Sequence, residues 1–573
     1  MKKTKILFTL SAIMLLASCG NNTSSSSSSS SEPSSSPISS SSSSSSNNEF
    51  GDFDFKYQVV DGEVVIDDKV LTSQTQLPTE NNNRVFYQIF TGSFSDSNGD
   101  GIGDLQGIIN RLDYINDGNP NSGRSLGAQG IWLTPIFQSP SYHKYDVTDY
   151  YKIDPSFGDM STLKTLIDEC HNRNIKIILD LPINHTGNYN QWFLHFRNAH
   201  MLGDVESPYY NFYSFKTTPE AGHQAISGSS SYYECNFSSD MPELNFDNEV
   251  VREQVLEIAK YYLDLGVDGF RFDAAKYIYY GNHEKSAEFW GWYVNELKKI
   301  KPDVYTVGEV WETSDTITDM YYKQGLGCFN FSVAGVEGRI ALAAKGGSQI
   351  VSYANYVESF YNAIKSYDKD AIMYPFITNH DMDRTAGFLP MLNKTCYMGA
   401  SIEILSPGSP FIYYGDEIGI KGSRSSENTD ANRRLKMRWG DNDTVRDPIG
   451  ATYEESKQTN GTVVTQLKNE QSLLTHYKKL IMIRNAYPEI HSGTPIALNY
   501  DSNNSTVGGF LYTKDGSNVA VIHNTAKNTT AKVDLSNLTS AQLKSLEIYI
   551  GSGKASLEGN ILTISPLTTV ILK

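Results

Sequence analysis

Cysteine is scarce in this chain, which has only five among 573 residues. Apart from Cys19, the cysteines lie far apart, with no C-x-x-C pair and no histidine at zinc-binding spacing: Cys170, Cys235, Cys328 and Cys396. Structural zinc sites draw their ligands from such short-spaced pairs, so the sequence predicts no structural zinc. We expect these four cysteines to be mostly free and buried, and the sequence leaves one disulfide open.

Basic residues are also few: 48 Lys and Arg stand against 65 Asp and Glu, a formal net charge of −17. Proteins that bind nucleic acid or anionic membrane surfaces need the opposite sign. We therefore expect no nucleic-acid partner, and we expect a monomeric chain. An apolar content of 39%, with 36 Tyr and 25 Phe, supports a large core and is compatible with a neutral polar substrate.

The only apolar run that suggests targeting lies at the N-terminus. Three lysines precede the run 6–17, which is too short to span a membrane permanently, and L-A-S-C follows at Cys19. A small residue before a cysteine at this place resembles the lipobox of bacterial lipoproteins. The resemblance implies that residues 1–18 are a signal peptide and that Cys19 is lipidated. An ordinary secretory signal with an incidental cysteine is the alternative.

A serine tract follows the cysteine, from Ser24 to Ser46, and it includes few other residues. Such a composition cannot bury a core and predicts a flexible tether. We expect residues 19–49 to connect a lipid anchor to a domain at the extracellular face of the cell membrane. Residues 50–83 form an N-terminal extension that either packs as a strand or lengthens the tether.

Beyond residue 84, short β-rich runs alternate with amphipathic helical stretches such as 248–264. Eight runs are strand candidates: 84–91, 130–136, 175–181, 266–273, 304–310, 327–332, 373–379 and 410–415. Parallel strands buried on both faces read as near-continuous apolar runs. The pattern predicts an α/β fold, a (β/α)8 TIM barrel, over residues 84–487.

Two segments depart from that alternation. The connection after the third strand, about 186–245, is too long for a simple loop and predicts an inserted domain, domain B. After residue 488, alternating runs with Asn and Gly turns predict a C-terminal antiparallel β-sandwich domain over 488–573.

Polar and charged side chains gather at the C-terminal ends of four predicted strands. They are Asp180, Asn184 and His185 at the end of the third, Arg271, Asp273 and Lys276 at the fourth, Glu309 at the fifth, and His380, Asp381 and Arg384 at the seventh. The C-terminal ends of barrel strands meet at the active-site face. A single carboxylate there is usually a solvated loop residue, but Asp273, Glu309 and Asp381 at equivalent ends predict one convergent acidic site.

Four motifs stand at these ends in order: D-x-x-x-N-H, G-F-R-x-D-A-A-K, G-E-V-W and N-H-D. Two more are M-P-E-L-N-F at 241–246 and P-G-S-P-F-I-Y-Y-G-D-E-I-G at 407–419. Together they resemble the conserved regions of the alpha-amylase family, glycoside hydrolase family 13, over about residues 84–500. The resemblance is closest to the intermediate group between oligo-1,6-glucosidases and neopullulanases, which contains bacterial lipoprotein α-amylases.

The resemblance implies three catalytic residues. Asp273 is the nucleophile that forms a glucosyl intermediate, Glu309 is the general acid and then the base, and Asp381 binds hydroxyls of the distorted sugar. Retention of configuration needs the nucleophile and the acid about 5–5.5 Å apart. Arg271, on the same strand face as Asp273, would keep that carboxylate ionised. Glu309 needs a raised pKa, which we attribute to Asp273 and partial burial.

Substrate-binding roles are implied for six residues: Tyr145, His185, Arg271, Lys276, His380 and Arg384. Tyr145 would stack on the sugar at the non-reducing side of the cut. His185 and His380 would donate hydrogen bonds to the same sugar, with a role as strand caps as the alternative.

Three further positions bear on which glycosidic linkage is cut and on whether a second calcium is bound. Tyr142 stands where exo-acting relatives carry an Asp, and Ala274 where α-1,6-specific relatives usually carry Val. Both features, with Lys276 on the leaving-group side, favour internal α-1,4 cleavage. Tyr277 replaces a histidine that many α-amylases use as a calcium ligand, so the resemblance does not extend to that site.

The segment D-S-N-G-D-G-I-G-D at 96–104 begins with the oxygen spacing of an EF-hand loop. Its ligand candidates are Asp96, Asn98, Asp100, the carbonyl of Ile102, and Asp104. The twelfth position is Gly107 instead of the bidentate Glu, and a strand precedes the loop instead of a helix. We expect Ca²⁺ to pin this loop statically at the active-site face. A metal-free turn is the alternative.

The sequence thus predicts an extracellular, lipid-anchored α-amylase that hydrolyses internal α-1,4 bonds of starch and malto-oligosaccharides. One alternative is a neopullulanase-like, α-glucosidase or oligo-1,6-glucosidase activity. Others are a non-catalytic starch-binding lipoprotein on the same barrel and a calcium-regulated binding module.

Overall fold

A computed structural model describes residues 77–424, 429–458, 460–498, 505–536, 543 and 545–573, and the backbone of three short strands before them. Those three strands form a small antiparallel sheet: Val59–Val60, Glu63–Ile66 and Lys69–Leu71. Cys19 and the serine tract lie outside the described residues. No helix in the described part of the chain is both long enough and apolar enough to cross a membrane.

Six parallel strands form the central sheet: Phe86–Ile89, Gly130–Leu133, Lys176–Leu181, Gly269–Phe272, Tyr305–Gly308 and Phe411–Tyr413. In space they run from the fifth strand through the fourth, third, second and first to the last. Parallel bridges then join Gly308 to Cys328, Phe329 to Tyr374, and Phe376 to Phe411. These bridges close the sheet into an eight-position barrel, so the (β/α)8 prediction is confirmed.

The sixth and seventh barrel positions are shorter than predicted. The runs 327–332 and 373–379 contribute single bridge residues and no regular ladder. At the sixth position the backbone turns immediately, because Val333 N donates to Asn330 O at 3.2 Å and Ala334 N to Phe331 O at 3.3 Å. The prediction of two full strands there is wrong.

The barrel interior is filled mainly by aromatic side chains. Phe86, Trp132, Tyr305, Phe329 and Phe411 belong to one buried cluster. The rings of Phe86 and Phe411 are stacked, with centroids 4.7 Å apart and planes 8° apart. A Cβ at Gly130 would lie 2.5 Å from the Phe86 ring, so glycine at that position leaves room for the ring.

Helices surround the barrel and occupy the following ranges in the described chain: Leu105–Asn110, Leu112–Ile115, Met160–Asn172, Glu249–Leu265, His283–Ile300, Asp315–Lys323, Arg339–Ala344, Gln349–Tyr367, Thr385–Phe388, Thr395–Ile404, Glu455–Gln458, Val463–Leu467, Leu473–Ala486 and Pro488–Ser492. Short 3-10 turns lie at Thr91–Ser93, Ala275–Tyr277, Met391–Asn393, Asp416–Ile418 and Asp430–Arg433. Glu249–Leu265 matches the predicted helix over 248–264. The Asn248 side chain caps its first turn, and Gly266 ends it at φ +111°.

The long connection after the third strand folds into a helix and a small sheet. The helix is Gln191–Leu202, and the sheet pairs His223–Ala225, Tyr232–Glu234 and Phe215–Lys216 in that spatial order. The first and last residues of this connection lie side by side: Leu244 N donates to Asn184 O, and His185 and Glu243 form an antiparallel β-bridge. A separate hairpin joins Phe137–Gln138 to Asp149–Ile153 after the second strand.

Two antiparallel sheets form the C-terminal region. One has the spatial order Thr494–Leu498, Val507–Lys514, Ser517–Asn524, Thr568–Leu572 and Leu546–Gly551, and the other Ala531–Asp534, Ile561–Ile564 and Ala555–Glu558. Both contribute side chains to one apolar core, including Ile522, Val533 and Leu562. The β structure begins at Thr494 and not at 488, because Pro488 starts one more helical segment.

All four cysteines in the described chain are free thiols, so the disulfide that the sequence left open is not formed. Cys170, Cys328 and Cys396 are buried, as expected, whereas Cys235 is only half-buried.

Replacing Phe86 by Ala should lower the midpoint of thermal unfolding, because the truncation removes the stacked ring and leaves a cavity at the barrel centre. Phe→Ala changes in cores cost about 3–5 kcal/mol. Phe86→Leu should cost less, and Val250→Ala, at a side chain that is 46% exposed, is the matched control. Scanning calorimetry measures the shift, and equal midpoints for Phe86→Ala and Val250→Ala would contradict the central role of this ring.

Candidate active site

One buried guanidinium gathers three carboxylates at the ends of three neighbouring strands. Arg271 Nη1 lies 2.7 Å from Asp180 Oδ1 and 2.6 Å from Asp273 Oδ1, and Nη2 lies 2.9 Å from Glu309 Oε2. Strand register explains the meeting, since Arg271 is paired with Asp180 on one side and Val307 on the other. Asp273 follows two residues later on the same face.

Three carboxyl groups share one guanidinium here, so the pKa of each group decides which of them holds a proton. Burial raises the pKa of Glu309 to about 8; Arg271 opposes this shift, and Asp273 and Asp381 add to it. Burial likewise raises the pKa of Asp180 to about 7, against the attraction of Arg271. Glu309 can therefore hold a proton at neutral pH, and burial rather than Asp273 is the largest cause.

The Glu309 side chain is fixed by the loop that follows the fourth strand. Its Oε2 accepts a hydrogen bond from Ala274 N at 3.0 Å, and its backbone carbonyl accepts one from Ala275 N at 3.0 Å. Ala274 has a left-handed backbone, φ +47°, which costs a non-glycine residue about 1–2 kcal/mol. The residue after Asp273 thus orients the carboxyl of Glu309.

A hydrogen-bonded chain links the seventh strand to the third. Gln88 Nε2 lies 2.7 Å from His380 Nδ1, and because an amide nitrogen donates, the ring proton is placed on Nε2. His380 Nε2 lies 3.0 Å from Asp381 Oδ2 and 2.6 Å from the Tyr145 hydroxyl. Tyr145 in turn donates to Asp180 Oδ2 at 2.9 Å. His380 and Asp381, predicted to lie together after the seventh strand, therefore meet Tyr145, which only the family resemblance had placed in the site.

A second arginine, which the sequence did not identify, holds Asp381. Arg434 Nη2 lies 2.7 Å from Asp381 Oδ1, Nη1 donates to the Tyr142 hydroxyl at 3.0 Å, and Nε donates to His380 O at 3.1 Å. Burial alone would raise the pKa of Asp381, but His380, Arg434 and Arg271 hold that pKa well below its usual range. Arg434 follows the turn Asp430–Arg433, beyond the last barrel strand, where no motif identifies it.

Arg384 does not bind substrate, so that prediction is wrong. Its side chain is fully buried and stacks on Tyr413 with the guanidinium carbon 3.8 Å from the ring centre. It donates to the carbonyls of Arg433 and Tyr414. Arg384 therefore stabilises the segment after the last strand. Its guanidinium, which also lies 3.5 Å from Asp416 Oδ1, is fully buried and offers no surface to a sugar.

His185 is buried in the site, whereas Lys276 is only half-buried. His185 is buried, its Nδ1 is 3.2 Å from Asn184 Oδ1, and its Nε2 has no hydrogen-bond partner among the described residues. That nitrogen is suited to a substrate hydroxyl. Lys276 lies nearer the surface, where its amine donates to Trp311 O at 2.9 Å and to Glu312 Oε1 at 2.7 Å.

Comparison with known proteins matches residues 88–493 to the model of the alpha amylase catalytic domain. The chain belongs to the alpha-amylase family. It is 35% identical over 502 residues to Alpha-amylase 3 of Dictyoglomus thermophilum, covering 86% of this chain and 93% of that protein. It is 31% identical to the 4-alpha-glucanotransferase of Thermotoga neapolitana, covering 69% of this chain and 85% of that one.

Two solved structures at 35% identity have the same fold. Eubacterium rectale Amy13B aligns with a TM-score of 0.79 at 35% identity, covering 86% of this chain and 96% of that one. The alpha-amylase from H. orenii aligns with a TM-score of 0.73 at 35% identity, covering 86% and 99%. Family membership establishes an enzyme that acts on α-glucans. The names of relatives differ, however, and include cyclomaltodextrinase and oligo-1,6-glucosidase.

The predicted calcium loop is folded on its own side-chain oxygens. Asp96 accepts hydrogen bonds from the backbone of Asn98, Gly99 and Gly101, and Asp100 accepts one from Ile102 N. Asp104 instead accepts from Ser97 and from Gly107 N, which caps the helix Leu105–Asn110.

The loop oxygens suit a hard cation in type, since Ca²⁺ takes carboxylate, amide and carbonyl oxygens. Among the described residues, however, no three His, Cys, Asp or Glu side chains cluster closely enough to hold a metal. The neutral donors Asn98 and Ile102 would have to complete the site, and calcium binding here stays a prediction.

The rate of glycoside cleavage should fall as the pH rises through about 8. Glu309 must be protonated to act as the acid, and its raised pKa places the loss of that proton there. Replacing Glu309 by Gln should lower kcat by about 10²–10⁴ on natural glucans. The measurement is the pH profile of kcat/KM.

An α-glucosyl fluoride serves as the control substrate, because fluoride leaves without a proton. The Glu309→Gln variant should still form the glucosyl intermediate from this fluoride. The pH profile of that step should no longer fall at high pH. A basic limb that persists in the Gln variant would assign the titration to another group.

Proposed function

We propose that this protein is an endo-acting α-amylase that hydrolyses internal α-1,4 bonds of starch and malto-oligosaccharides with retention of configuration. The observation that carries the proposal is the sharing of Arg271 between Asp273 and Glu309. Because the two terminal nitrogens of one guanidinium hold both carboxyl groups, the two lie close together. Retaining enzymes need that closeness, whereas inverting enzymes leave room for a water molecule between the carboxyl groups.

Each residue then has a defined part in the double displacement. Asp273 attacks the anomeric carbon while the proton of Glu309 passes to the glycosidic oxygen, which leaves as the hydroxyl of the cut chain. Glu309 next takes a proton from water, and that water oxygen replaces Asp273 at the anomeric carbon. Asp381, held ionised by Arg434, accepts hydrogen bonds from ring hydroxyls, and His185 contacts the same sugar. His380, whose ring nitrogens are held by protein groups, orients Asp381 and Tyr145.

Internal cleavage of α-1,4 bonds is supported by two residues that contact the site, Tyr142 and Ala274. The Tyr142 hydroxyl accepts from Arg434, so the guanidinium beside Asp381 faces a phenol where exo-acting relatives carry a carboxylate. Ala274, whose nitrogen is bound to Glu309, replaces the Val typical of α-1,6-specific relatives. Relatives named 4-alpha-glucanotransferase and oligo-1,6-glucosidase supply the alternative activities to be tested.

We further propose that the enzyme works as a monomer outside the cell, anchored by a lipid on Cys19. The support is the L-A-S-C ending of the N-terminal apolar run and the serine tract that follows it. A polymer such as starch cannot cross a membrane, so an enzyme tethered at the surface would cut it where oligosaccharides can then be taken up.

A product profile tests the specificity. Wild-type enzyme should rapidly abolish the iodine stain of amylose and release malto-oligosaccharides, with little action on pullulan or isomaltose. Asp273→Asn should lower the rate by several orders of magnitude, because an amide cannot form the glycosyl ester. Release of glucose alone from chain ends, or a preference for isomaltose, would contradict the endo-α-1,4 proposal, and transfer products without net hydrolysis would favour a glucanotransferase.

Calcium in the loop 96–104 should act on stability more than on specificity, since the loop lacks the bidentate Glu and the second helix of a sensor. A chelator should therefore lower the midpoint of thermal unfolding while the product pattern stays the same. Asp100→Asn removes one charged donor from an exposed position and should reduce the effect of the chelator. Equal midpoints with and without chelator in the wild type would count against the site.

A further inference from the structure

Lys144, the residue directly before Tyr145, combines two features that are unfavourable for a lysine. Its backbone is left-handed, with φ +66°, and the residue is buried. In the left-handed region a Cβ crowds the neighbouring backbone, and a buried ammonium loses its water. Glycine would adopt the same conformation without this crowding. A lysine at this position therefore needs a contact that offsets both costs.

An ion pair supplies that contact. Lys144 Nζ lies 2.8 Å from Asp154 Oδ2, and the two side chains are 10% and 8% exposed. The amine also donates to Ser139 O at 3.2 Å and lies 5.4 Å from the centre of the Phe157 ring. Water screens a buried pair much less than an exposed one. The pair therefore holds the Lys144 side chain in one geometry.

Asp154, the partner of Lys144, is itself firmly held. Its backbone nitrogen donates to Ile136 O at 2.9 Å, and its Oδ2 accepts from Ser139 N at 3.2 Å. Its Oδ1 accepts from Ser156 N at 3.0 Å and from Ser156 Oγ at 2.6 Å. Ile136 and Asp154 flank the hairpin of Phe137–Gln138 and Asp149–Ile153 at its open end. The ion pair thus ties the middle of the hairpin loop to the base of the hairpin.

Tyr145, the next residue along the loop, connects two parts of the active site. Its hydroxyl donates to Asp180 Oδ2 at 2.9 Å and lies 2.6 Å from His380 Nε2. Arg271 Nη1 is 3.4 Å from the same oxygen. A rotation of the Lys144 backbone out of the left-handed region would move Tyr145 as a whole. The backbone conformation of Lys144 therefore decides where the Tyr145 hydroxyl lies.

We propose that Lys144 is a positioning residue, which through its ion pair with Asp154 keeps the loop in the conformation that places the Tyr145 hydroxyl between Asp180 and His380. A glycine at 144 would permit this conformation among others, whereas the paired lysine selects it. A site that is arranged before the sugar arrives loses less entropy on binding and needs no rearrangement during the reaction. The proposal concerns the same site as the hydrolysis proposed above and rests on it.

The test separates the ion pair from the backbone strain. Lys144→Ala removes the ion pair and keeps the strain, so it should lower the maximal rate of glucosyl-intermediate formation about five- to thirtyfold. Lys144→Gly removes the strain as well and should recover most of that loss. The substrate is an α-glucosyl fluoride. Rates are expressed per active site, titrated with an inhibitor that traps the intermediate, so that unfolded protein does not contribute.

Lys394→Ala is the matched control, because Lys394 is also a left-handed lysine, with φ +59°. It precedes the helix Thr395–Ile404, and its amine lies 4.0 Å from the centre of the Tyr397 ring instead of pairing near Tyr145. The rate per site should stay at the wild-type value in this variant.

Two results would overturn the positioning role. One is a wild-type rate per site in Lys144→Ala with only fewer active sites, which would indicate a purely structural role. The other is an equal loss in the Ala and Gly variants, which would assign the effect to the amine alone. A wild-type enzyme that forms the intermediate but transfers it without net hydrolysis would instead refute the proposed function, and the comparison of the variants would still hold.

Discussion

The active site depends on the buried charge of Arg271. Removing a guanidinium and a carboxylate from water costs several kcal/mol for each ion, so a buried arginine persists only where its partners are placed well. Asp180, Asp273 and Glu309 surround it from three neighbouring strands at ion-pair distance. Their positions follow from the register of those strands, and the same contacts that stabilise the barrel mouth bring together the nucleophile and the acid.

A second cation separates the roles of the carboxylates. Arg434 and His380 keep Asp381 ionised, whereas burial keeps the proton on Glu309. Carboxyl groups within one site can therefore exist in different protonation states at one pH, because the partners of each differ. Hydrogen bonds from Gln88 through His380 and Tyr145 to Asp180 connect the surroundings of Asp381 to those of Arg271, and so link the first, third and seventh barrel positions.

The sequence anticipated the parts of the structure that local pattern encodes. Asp273 and Glu309 directly follow regular strands, as the apolar runs predict, because the ends of parallel strands face one opening. The sixth and seventh strands were overestimated, since apolar residues such as Phe331 read as strand although the backbone turns there. The sequence names Arg384 because it follows the N-H-D motif, and it misses Arg434 because no motif surrounds that residue; only packing shows that Arg434 is the arginine that contacts Asp381.

The sequence by itself determined the barrel, the inserted and C-terminal regions, the family and the acidic residues, because periodicity and motif order depend on neighbours along the chain. Tertiary structure alone decided that one arginine holds three carboxylates, that Arg434 pairs with Asp381, and that burial raises the pKa of Glu309. It also paired Lys144 with Asp154 at the base of the hairpin. Contacts between residues far apart in the chain, and the loss of water around them, exist only once the chain has folded.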